Sequence, residues 1–223
     1  MLSFRSILYA LGVVFLLQES PTFIESFSVQ PEGGCFSQRS LATSTKAFNA
    51  LQMPSTDAFA SLHNFGPASS RDTFLYTAER PGNPPEKKDL VPDEKVYEYI
   101  TFMKEQGVAR VLLLLDEQEI AIYSDLLAMY TAGGLLYNIQ SMNEEGAAKK
   151  VMAILKASEE QGERVCTHCT GGIGRCGRVA AAWLVERYNL TPAVATEETL
   201  AQAAASGVTR SGDVTALSEW LGV

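Results

Sequence analysis

One segment of the chain, residues 164–188, restricts the possible folds more than any other. Residues 164–168 predict a buried strand that ends at Cys169, and the next five residues include three glycines. A helix is predicted to follow from about residue 176 to residue 188. A strand that passes through a glycine-rich turn into a helix is typical of α/β folds, in which strands lie parallel and helices cover the sheet.

The preceding chain repeats this alternation of strands and helices. The predicted strands are residues 73–77, 109–115 and 134–139, and the predicted helices are residues 93–107, 120–130 and 143–161. Within residues 109–115 (ARVLLLL), the five residues 111–115 are apolar without interruption, as expected for a strand covered on both faces. After residue 188, Thr191 with Pro192 opens a further helix, and Ser211 or Asp213 begins the last one. We therefore expect an α/β fold with a central, mostly parallel sheet flanked by helices on both faces and a glycine-rich loop at a strand-to-helix turn.

The N-terminal region has a different composition. Arg5 precedes an apolar run at residues 7–17, which is too short to span a bilayer comfortably and has the layout of a secretory signal peptide. We assign residues 1–26 to this signal peptide and residues 27–69 to a transit-like or disordered segment. Together they resemble the bipartite presequence of complex plastids, with Phe27 after the cleavage point. Plain secretion, or a membrane anchor or buried helix at residues 7–17, is the alternative.

Charge is concentrated in the predicted α/β domain, residues 70–223, which the family resemblance given below identifies as the catalytic domain. The chain has 18 Lys+Arg and 26 Asp+Glu, a net charge of -8, with 46% hydrophobic residues. Residues 1–56 contain three basic and three acidic residues, so the whole excess of acid lies beyond them. An acidic domain argues against general binding to the phosphate backbone of nucleic acids. We expect no nucleic-acid partner and no stable membrane span in the mature chain.

The cysteines indicate site chemistry instead of a disulfide scaffold. Cys166, Cys169 and Cys176 lie within fourteen residues of one another in the sequence VCTHCTGGIGRCGR, and the fourth cysteine, Cys35, falls in the predicted presequence. A disulfide framework would distribute its cysteines to connect distant loops. The cluster instead predicts a reactive thiol.

The arrangement around Cys169 is suited to binding an anion. A glycine-rich turn at a helix N-terminus directs several N–H groups at one point. The same positive end lowers the pKa of a thiol placed there. Arg175 adds a planar pair of donors that matches two phosphoryl oxygens.

The sequence HCTGGIGR, residues 168–175, resembles the His-Cys-x5-Arg signature of the cysteine-dependent tyrosine and dual-specificity phosphatases. Residues 97–123 and the Arg80-Pro81-Gly82 turn also resemble this family, so the likeness covers about residues 70–222. It implies that Cys169 attacks phosphorus and forms a cysteinyl-phosphate, without a metal or another cofactor. The phosphate-binding residues that it implies are Thr170, Gly171, Gly172, Ile173, Gly174 and Arg175. The implied substrate is a phosphotyrosine or phosphoserine/threonine protein or another phosphomonoester.

Two positions depart from the family pattern. Cys176 stands where a Ser or Thr hydroxyl usually assists the nucleophile, and a thiol is a weaker donor. Ser141 stands where the family carries its general-acid Asp. The nearby Glu144 is our candidate for a displaced acid; without any acid, about a hundredfold or more of rate is lost.

These departures leave two other functions open. The first is a pseudophosphatase that binds a phosphorylated partner without turnover. The second is a thiol redox protein that uses Cys166, Cys169 and Cys176, since residues 166–169 form a C-x-x-C. A zinc site is disfavoured because the cluster lacks a second pair of ligands.

The remaining polar residues have simpler interpretations. His168 is expected to be a buried residue that orients the loop by hydrogen bonding, and His63 to be a solvated side chain of the presequence region. Asp116, Glu117 and Glu119 are interpreted as helix-capping acids, and Arg178, Arg187 and Arg210 as a solvated helix face and tail.

Overall fold

The structure is a computed structural model and describes residues 62–83 and 90–223. The predicted signal peptide and most of the predicted transit-like segment, up to residue 61, lie outside the described residues. Over the part of the chain that is described, none of the helices has the length and apolar character needed to cross a membrane.

Within the described residues, five strands form one sheet: β1 (Gly66–Pro67), β2 (Leu75–Glu79), β3 (Arg110–Leu113), β4 (Leu136–Ile139) and β5 (Val165–Cys169). Their order across the sheet is β1-β2-β5-β3-β4. The β1–β2 pair is antiparallel, and all other pairs are parallel. The predicted mostly parallel sheet is therefore confirmed.

The helices are α1 (Asp93–Glu105), α2 (Glu117–Ile120), α3 (Leu126–Ala132), α4 (Ala147–Glu160), α5 (Gly174–Tyr188), α6 (Pro192–Ala205) and α7 (Val214–Leu221). The apolar side chains of α1 and α3 pack in one buried cluster, and those of α4, α5, α6 and α7 pack in another. The two clusters take side chains from opposite faces of the sheet, so helices cover both faces as expected.

The central strand β5 delivers the cysteines to these two clusters by simple alternation. Successive side chains of a strand point to opposite faces. Val165 and Cys169 accordingly belong to the cluster of α5, whereas Cys166 belongs to the cluster of α1. All five residues of β5 are buried, so the chain leaves the middle of the sheet at Cys169.

Two predicted helices differ in extent from those in the structure. The helix predicted at residues 120–130 is two short helices, because Asp116 and Asp125 each cap a separate helix with their side chains. The helix predicted from residue 143 begins only at Ala147, after a residue with positive φ, Gly146 (φ 68°).

The folded domain begins before residue 70, where the sequence placed its start. A 3-10 turn at Leu62–Asn64 leads into β1, which pairs with β2. Phe65 is 5% exposed and stacks on Tyr76 with 5.0 Å between ring centroids. His63, expected to be solvated, is half-buried and packs edge-on against Tyr99. Hydrophobic contacts thus include residues 62–69 in the domain.

Candidate active site

Cys169 occupies the end of β5, where the chain turns through residues 170–173 into α5. The turn requires glycine at position 172, whose φ is 70° and where a Cβ would lie 2.6 Å from the carbonyl carbon of Ala78. The backbone N–H groups of Gly172 and Cys176 donate hydrogen bonds to the Cys169 sulfur. Residues 169–175, hereafter the signature loop, therefore surround the nucleophile with donors.

Cys176 contacts the nucleophile directly. Its sulfur lies 3.5 Å from the Cys169 sulfur and 3.5 Å from the Ala78 carbonyl oxygen. Hydrogen bonding from the Cys176 thiol lowers the pKa of Cys169 to about 5, against the opposing effect of burial and with help from the Arg175 charge. Burial and the same hydrogen bond raise the pKa of Cys176 well above its ordinary value. At neutral pH the pair is a thiolate accepting from a thiol.

Arg175 is held by a carboxylate from another part of the chain. Its Nη1 and Nη2 atoms each lie 2.6 Å from one oxygen of Glu119, and Nη1 also donates to the Leu114 carbonyl at 2.5 Å. Nη2 donates in addition to the Thr170 hydroxyl at 2.7 Å, and that hydroxyl donates to Glu119. The bidentate geometry fixes the plane of the guanidinium beside the signature loop.

Glu119 was expected only to cap a helix, and the cap is present. Its side chain accepts from the Asp116 backbone N–H at 3.0 Å, which completes a capping box. Burial alone would raise its pKa, but the hydrogen bonds from Arg175 and Thr170 lower the pKa of Glu119 to about 2. Glu119 thus remains ionised and serves as the counter-ion of Arg175, a role that its local sequence does not reveal.

His168 is fully buried beneath the signature loop. Its Nε2 lies 3.1 Å from the Tyr130 hydroxyl, and its Nδ1 has no hydrogen-bond partner among the described residues. Burial, with the charges of Arg175 and Arg80, lowers the pKa of His168 to about 3. A neutral imidazole anchored on α3 agrees with an orienting role, although its observed partner is Tyr130 instead of the loop.

The structure argues against Glu144 as the general acid. Its exposed carboxylate accepts from Lys150 Nζ at 2.9 Å and from Gln140 Nε2 at 3.0 Å. The hydrogen bond from Lys150, followed by that from Gln140, lowers the pKa of Glu144. A carboxyl group that is ionised more readily than usual is a poor proton donor at neutral pH. Ser141, which replaces the expected Asp, accepts from the Asn143 N–H at 3.3 Å.

Glu79 carries a second carboxyl group near the nucleophile, which the local sequence did not indicate. It ends β2, and its Cα is the partner of the Cys169 Cα on the neighbouring strand. Burial raises the pKa of Glu79, in part offset by a hydrogen bond from Asn83. Glu79 lies beside Cys169 because β2 pairs with β5. Local periodicity in the sequence does not indicate which strands pair, so it gave no sign of this position.

Cys166 lies away from the other two cysteines. It is fully buried in the cluster on the opposite face of the sheet, and burial raises its pKa to about 12. The expectation that Cys166 is a redox partner of Cys169 is therefore corrected by strand alternation, and Cys176 is the cysteine that contacts Cys169. Among residues 62–83 and 90–223, no group of three or more His, Cys, Asp or Glu side chains is placed to hold a metal ion.

Arg210 was expected to be solvated but is only 9% exposed. Its Nε donates to the Thr77 hydroxyl at 2.7 Å, and its Nη2 donates to the carbonyls of Thr77 (2.9 Å) and Asn64 (2.8 Å). Because these acceptors are distant in sequence, local polarity wrongly suggested a solvated tail. Arg187, in contrast, is exposed and pairs with Glu159.

Comparison with known proteins gives one matching family model and several solved structures with a similar fold. Residues 91–189 match the family model Tc-R-P, described as "Polymorphic toxin system, DSP-PTPase phosphatase". Kinase associated phosphatase (KAP), with its catalytic-site cysteine replaced by serine, has a similar structure with a TM-score of 0.53 at 19% identity, covering 66% of this chain and 85% of KAP. PTPMT1 in complex with PI(5)P has a TM-score of 0.51 at 15% identity, covering 70% of this chain and 93% of PTPMT1. No curated protein matches the sequence.

Proposed function

We propose that this chain hydrolyses phosphomonoesters through a cysteinyl-phosphate intermediate. The match of residues 91–189 to the DSP-PTPase family model supports this proposal and agrees with the resemblance seen in the signature loop. The observation that carries the mechanism is the convergence of a low-pKa thiolate, Cys169, with loop N–H groups and the Arg175 guanidinium.

In the first step, the Cys169 thiolate attacks phosphorus and the bond between phosphorus and the ester oxygen breaks. Loop N–H groups and the Nε–H and Nη2–H of Arg175 are the donors available to the phosphoryl oxygens. Nη2 is shared with Glu119 and Thr170 in the ligand-free site, so Arg175 exchanges part of this bonding for the substrate.

In the second step, water attacks the cysteinyl-phosphate, the sulfur–phosphorus bond breaks and inorganic phosphate leaves. The Cys169 thiolate re-forms next to the Cys176 thiol, which lies at 3.5 Å and retains its proton. Cys176 thus takes the position of the family's Ser or Thr hydroxyl, and donation from its thiol stabilises the departing thiolate.

The substrates that we propose are proteins phosphorylated on tyrosine or on serine/threonine. The decisive experiment measures hydrolysis of p-nitrophenyl phosphate with a chelator present, then of phosphotyrosine and phosphoserine peptides. Cys169→Ser should abolish turnover, because a hydroxyl at this position is not ionised. Turnover that survives in Cys169→Ser, or that stops with the chelator, contradicts the mechanism.

The second candidate function is a pseudophosphatase that binds a phosphorylated partner without turnover. The lack of a carboxyl group at the expected position of the general acid favours this function. Ser141 has no carboxyl group, and Glu144 is ion-paired with Lys150. Full-length protein that binds phosphopeptide but releases no phosphate from an aryl phosphate would identify this function.

We also propose that the N-terminal region up to residue 61, which precedes the folded domain, directs the protein to a plastid, with plain secretion as the alternative. The apolar run at residues 7–17 and the Ser/Thr-rich stretch that follows support this proposal. A fusion of residues 1–61 to a fluorescent protein, expressed in an alga with a complex plastid, should label the plastid. Label in the medium or secretory pathway contradicts it.

A further inference from the structure

The signature loop has an inner and an outer side with opposite hydrogen-bonding needs. On the inner side, the N–H groups of Gly172 and Cys176 donate to the Cys169 sulfur. Peptide groups that turn their N–H inward leave carbonyl oxygens facing the surrounding protein. Those oxygens need donors from other segments, because a buried carbonyl without a partner destabilises the conformation that exposes it.

Backbone groups supply donors to two of these carbonyls, namely Arg80 N–H to Thr170 (3.3 Å) and Gly177 N–H to Ile173 (3.0 Å). The Gly171 carbonyl differs, because it accepts from a side chain, Asn64 Nδ2, at 2.9 Å. A backbone donor persists whatever the residue type. The donor to Gly171 depends on the identity of residue 64, which is 107 positions away.

The Asn64 side chain is fixed in orientation by its neighbours. Its backbone has φ 48°, in the left-handed region that asparagine tolerates better than most residues. Its Oδ1 accepts from the Thr209 N–H at 2.9 Å, which leaves Nδ2 as the atom that faces Gly171. Nδ2 also donates to the Thr209 carbonyl at 3.1 Å.

Arg210 holds the backbone of Asn64 in place by hydrogen bonding. Its Nη2 donates to the Asn64 carbonyl at 2.8 Å and to the Thr77 carbonyl at 2.9 Å. Thr77 belongs to β2, and its Cα is the partner of Thr167 in β5, two residues before the nucleophile. The 3-10 turn is therefore tied through a buried guanidinium to the strands that carry the signature loop.

We infer that Asn64 is a positioning residue of the phosphate site, supported by Arg210. Its amide holds the Gly171 peptide so that the loop N–H groups remain directed at the phosphoryl group and at the Cys169 sulfur. This inference rests on the proposed function, because the site that Asn64 positions is the site of phosphoryl transfer.

The test compares full-length wild type with Asn64→Asp. Aspartate keeps the shape, the tolerance of positive φ and the acceptor for Thr209, but it replaces the donor to Gly171 by a carboxylate oxygen. The matched control is Asn189→Asp, because Asn189 also has positive φ (53°), is exposed and ends α5 on the far side from the signature loop. Asn64→Gly separates loss of the side chain from backbone strain.

The readout is alkylation of Cys169 by iodoacetamide, with inorganic phosphate as the protecting ligand. In Asn64→Asp and Asn64→Gly, the phosphate concentration for half-protection should rise on the order of tenfold. The pH midpoint of alkylation should also move upward. Asn189→Asp should match the wild type in both measurements.

The inference would be overturned if Asn64→Asp had the same half-protecting phosphate concentration and the same pH midpoint of alkylation as the wild type. This holds whatever the melting temperature of the variant. An equal change in Asn189→Asp would do the same. A wild type that binds phosphate but turns over no ester would refute only the proposed function, since alkylation needs no turnover. A wild type that phosphate does not protect would refute both.

Discussion

The Cys176 sulfur lies 3.5 Å from the Cys169 sulfur, and the two groups differ in protonation: Cys169 is a thiolate at neutral pH and Cys176 is a thiol. A disulfide requires a sulfur–sulfur distance of about 2 Å. The two sulfurs therefore need to approach by roughly 1.5 Å, a movement that side-chain rotation and small loop shifts can provide.

Mild peroxide is predicted to inactivate the protein reversibly. The Cys169 thiolate is oxidised to a sulfenic acid while peroxide is reduced to water, and the Cys176 thiol then displaces water to form the disulfide. Dithiothreitol should restore activity. Peptide mapping of the oxidised protein should show Cys169 joined to Cys176.

Two cysteine variants provide the controls for this oxidation. Cys176→Ser keeps a hydrogen-bond donor but removes the resolving thiol, so peroxide should inactivate it irreversibly. Cys166→Ala should recover like the wild type, because Cys166 lies on the opposite face of the sheet. Recovery in Cys176→Ser, or a Cys169–Cys166 disulfide in the wild type, would contradict the assignment.

The rate of Cys169 alkylation is predicted to follow the thiolate with a midpoint near pH 5. Because the pKa is lowered below its ordinary value of 9.0, the thiolate is present at neutral pH and is lost as the pH falls through about 5. Cys176→Ala removes the strongest contribution and should move the midpoint upward. Rates recorded from pH 4 to 9 would show this, and an unchanged midpoint would mean that the loop N–H groups and Arg175 suffice.

Glu119→Gln is predicted to lower kcat/KM for an aryl phosphate by on the order of ten- to a hundredfold, because Arg175 loses the ion pair that fixes its plane. In the wild type the folded-state pKa of Glu119 is lowered, so its stabilisation is complete above about pH 4.5 and is lost as the pH falls toward about 2. Denaturant unfolding of both proteins from pH 2 to 7 should show a difference in stability that grows between pH 2 and about 4.5 and is constant above that. Equal kcat/KM values for the wild type and Glu119→Gln would show that the ion pair with Arg175 is not needed for catalysis.

Glu144→Gln is predicted to leave kcat nearly unchanged, because the carboxylate of Glu144 is exposed and ionised.

In the absence of a general acid, aryl phosphates should react much faster than phosphoserine, whose leaving group is more basic. Ser141→Asp should narrow this ratio. Glu79→Gln is the informative comparison, since a loss of phosphoserine turnover greater than that of aryl phosphate would identify Glu79 as the acid.

The parts of the fold that were predictable from the sequence are those with local causes. The continuous apolar run around Val111 predicts a buried central strand, and Thr191 with Pro192 marks the start of α6. The apolar periodicity of residues 120–130 predicted a single helix, because periodicity carries no information about side-chain caps. Asp125 starts a separate helix because its carboxylate accepts a hydrogen bond from the Ala128 N–H.

The parts of the site that were missed depend on contacts between distant residues. Glu119 has the local sequence of a capping acid, and only the approach of α5 to α2 gives it Arg175 as a partner. Arg210 is polar and near the end of the chain, which suggests exposure, yet Thr77 and Asn64 provide its acceptors 133 and 146 positions away. Local sequence carries no signal for such pairings.

The position of Asn64 sets a limit on how far the chain can be trimmed. A protease that cuts before residue 62 leaves the amide that supports Gly171 in place. One that cuts a few residues later releases a fragment with Cys169, Arg175 and the complete motif, but without the support of its loop. The inferred role of Asn64 predicts that this fragment binds phosphate more weakly than the intact domain does, although its motif is complete. A chain that keeps the proposed support of the phosphate site therefore has to include the turn at Leu62–Asn64.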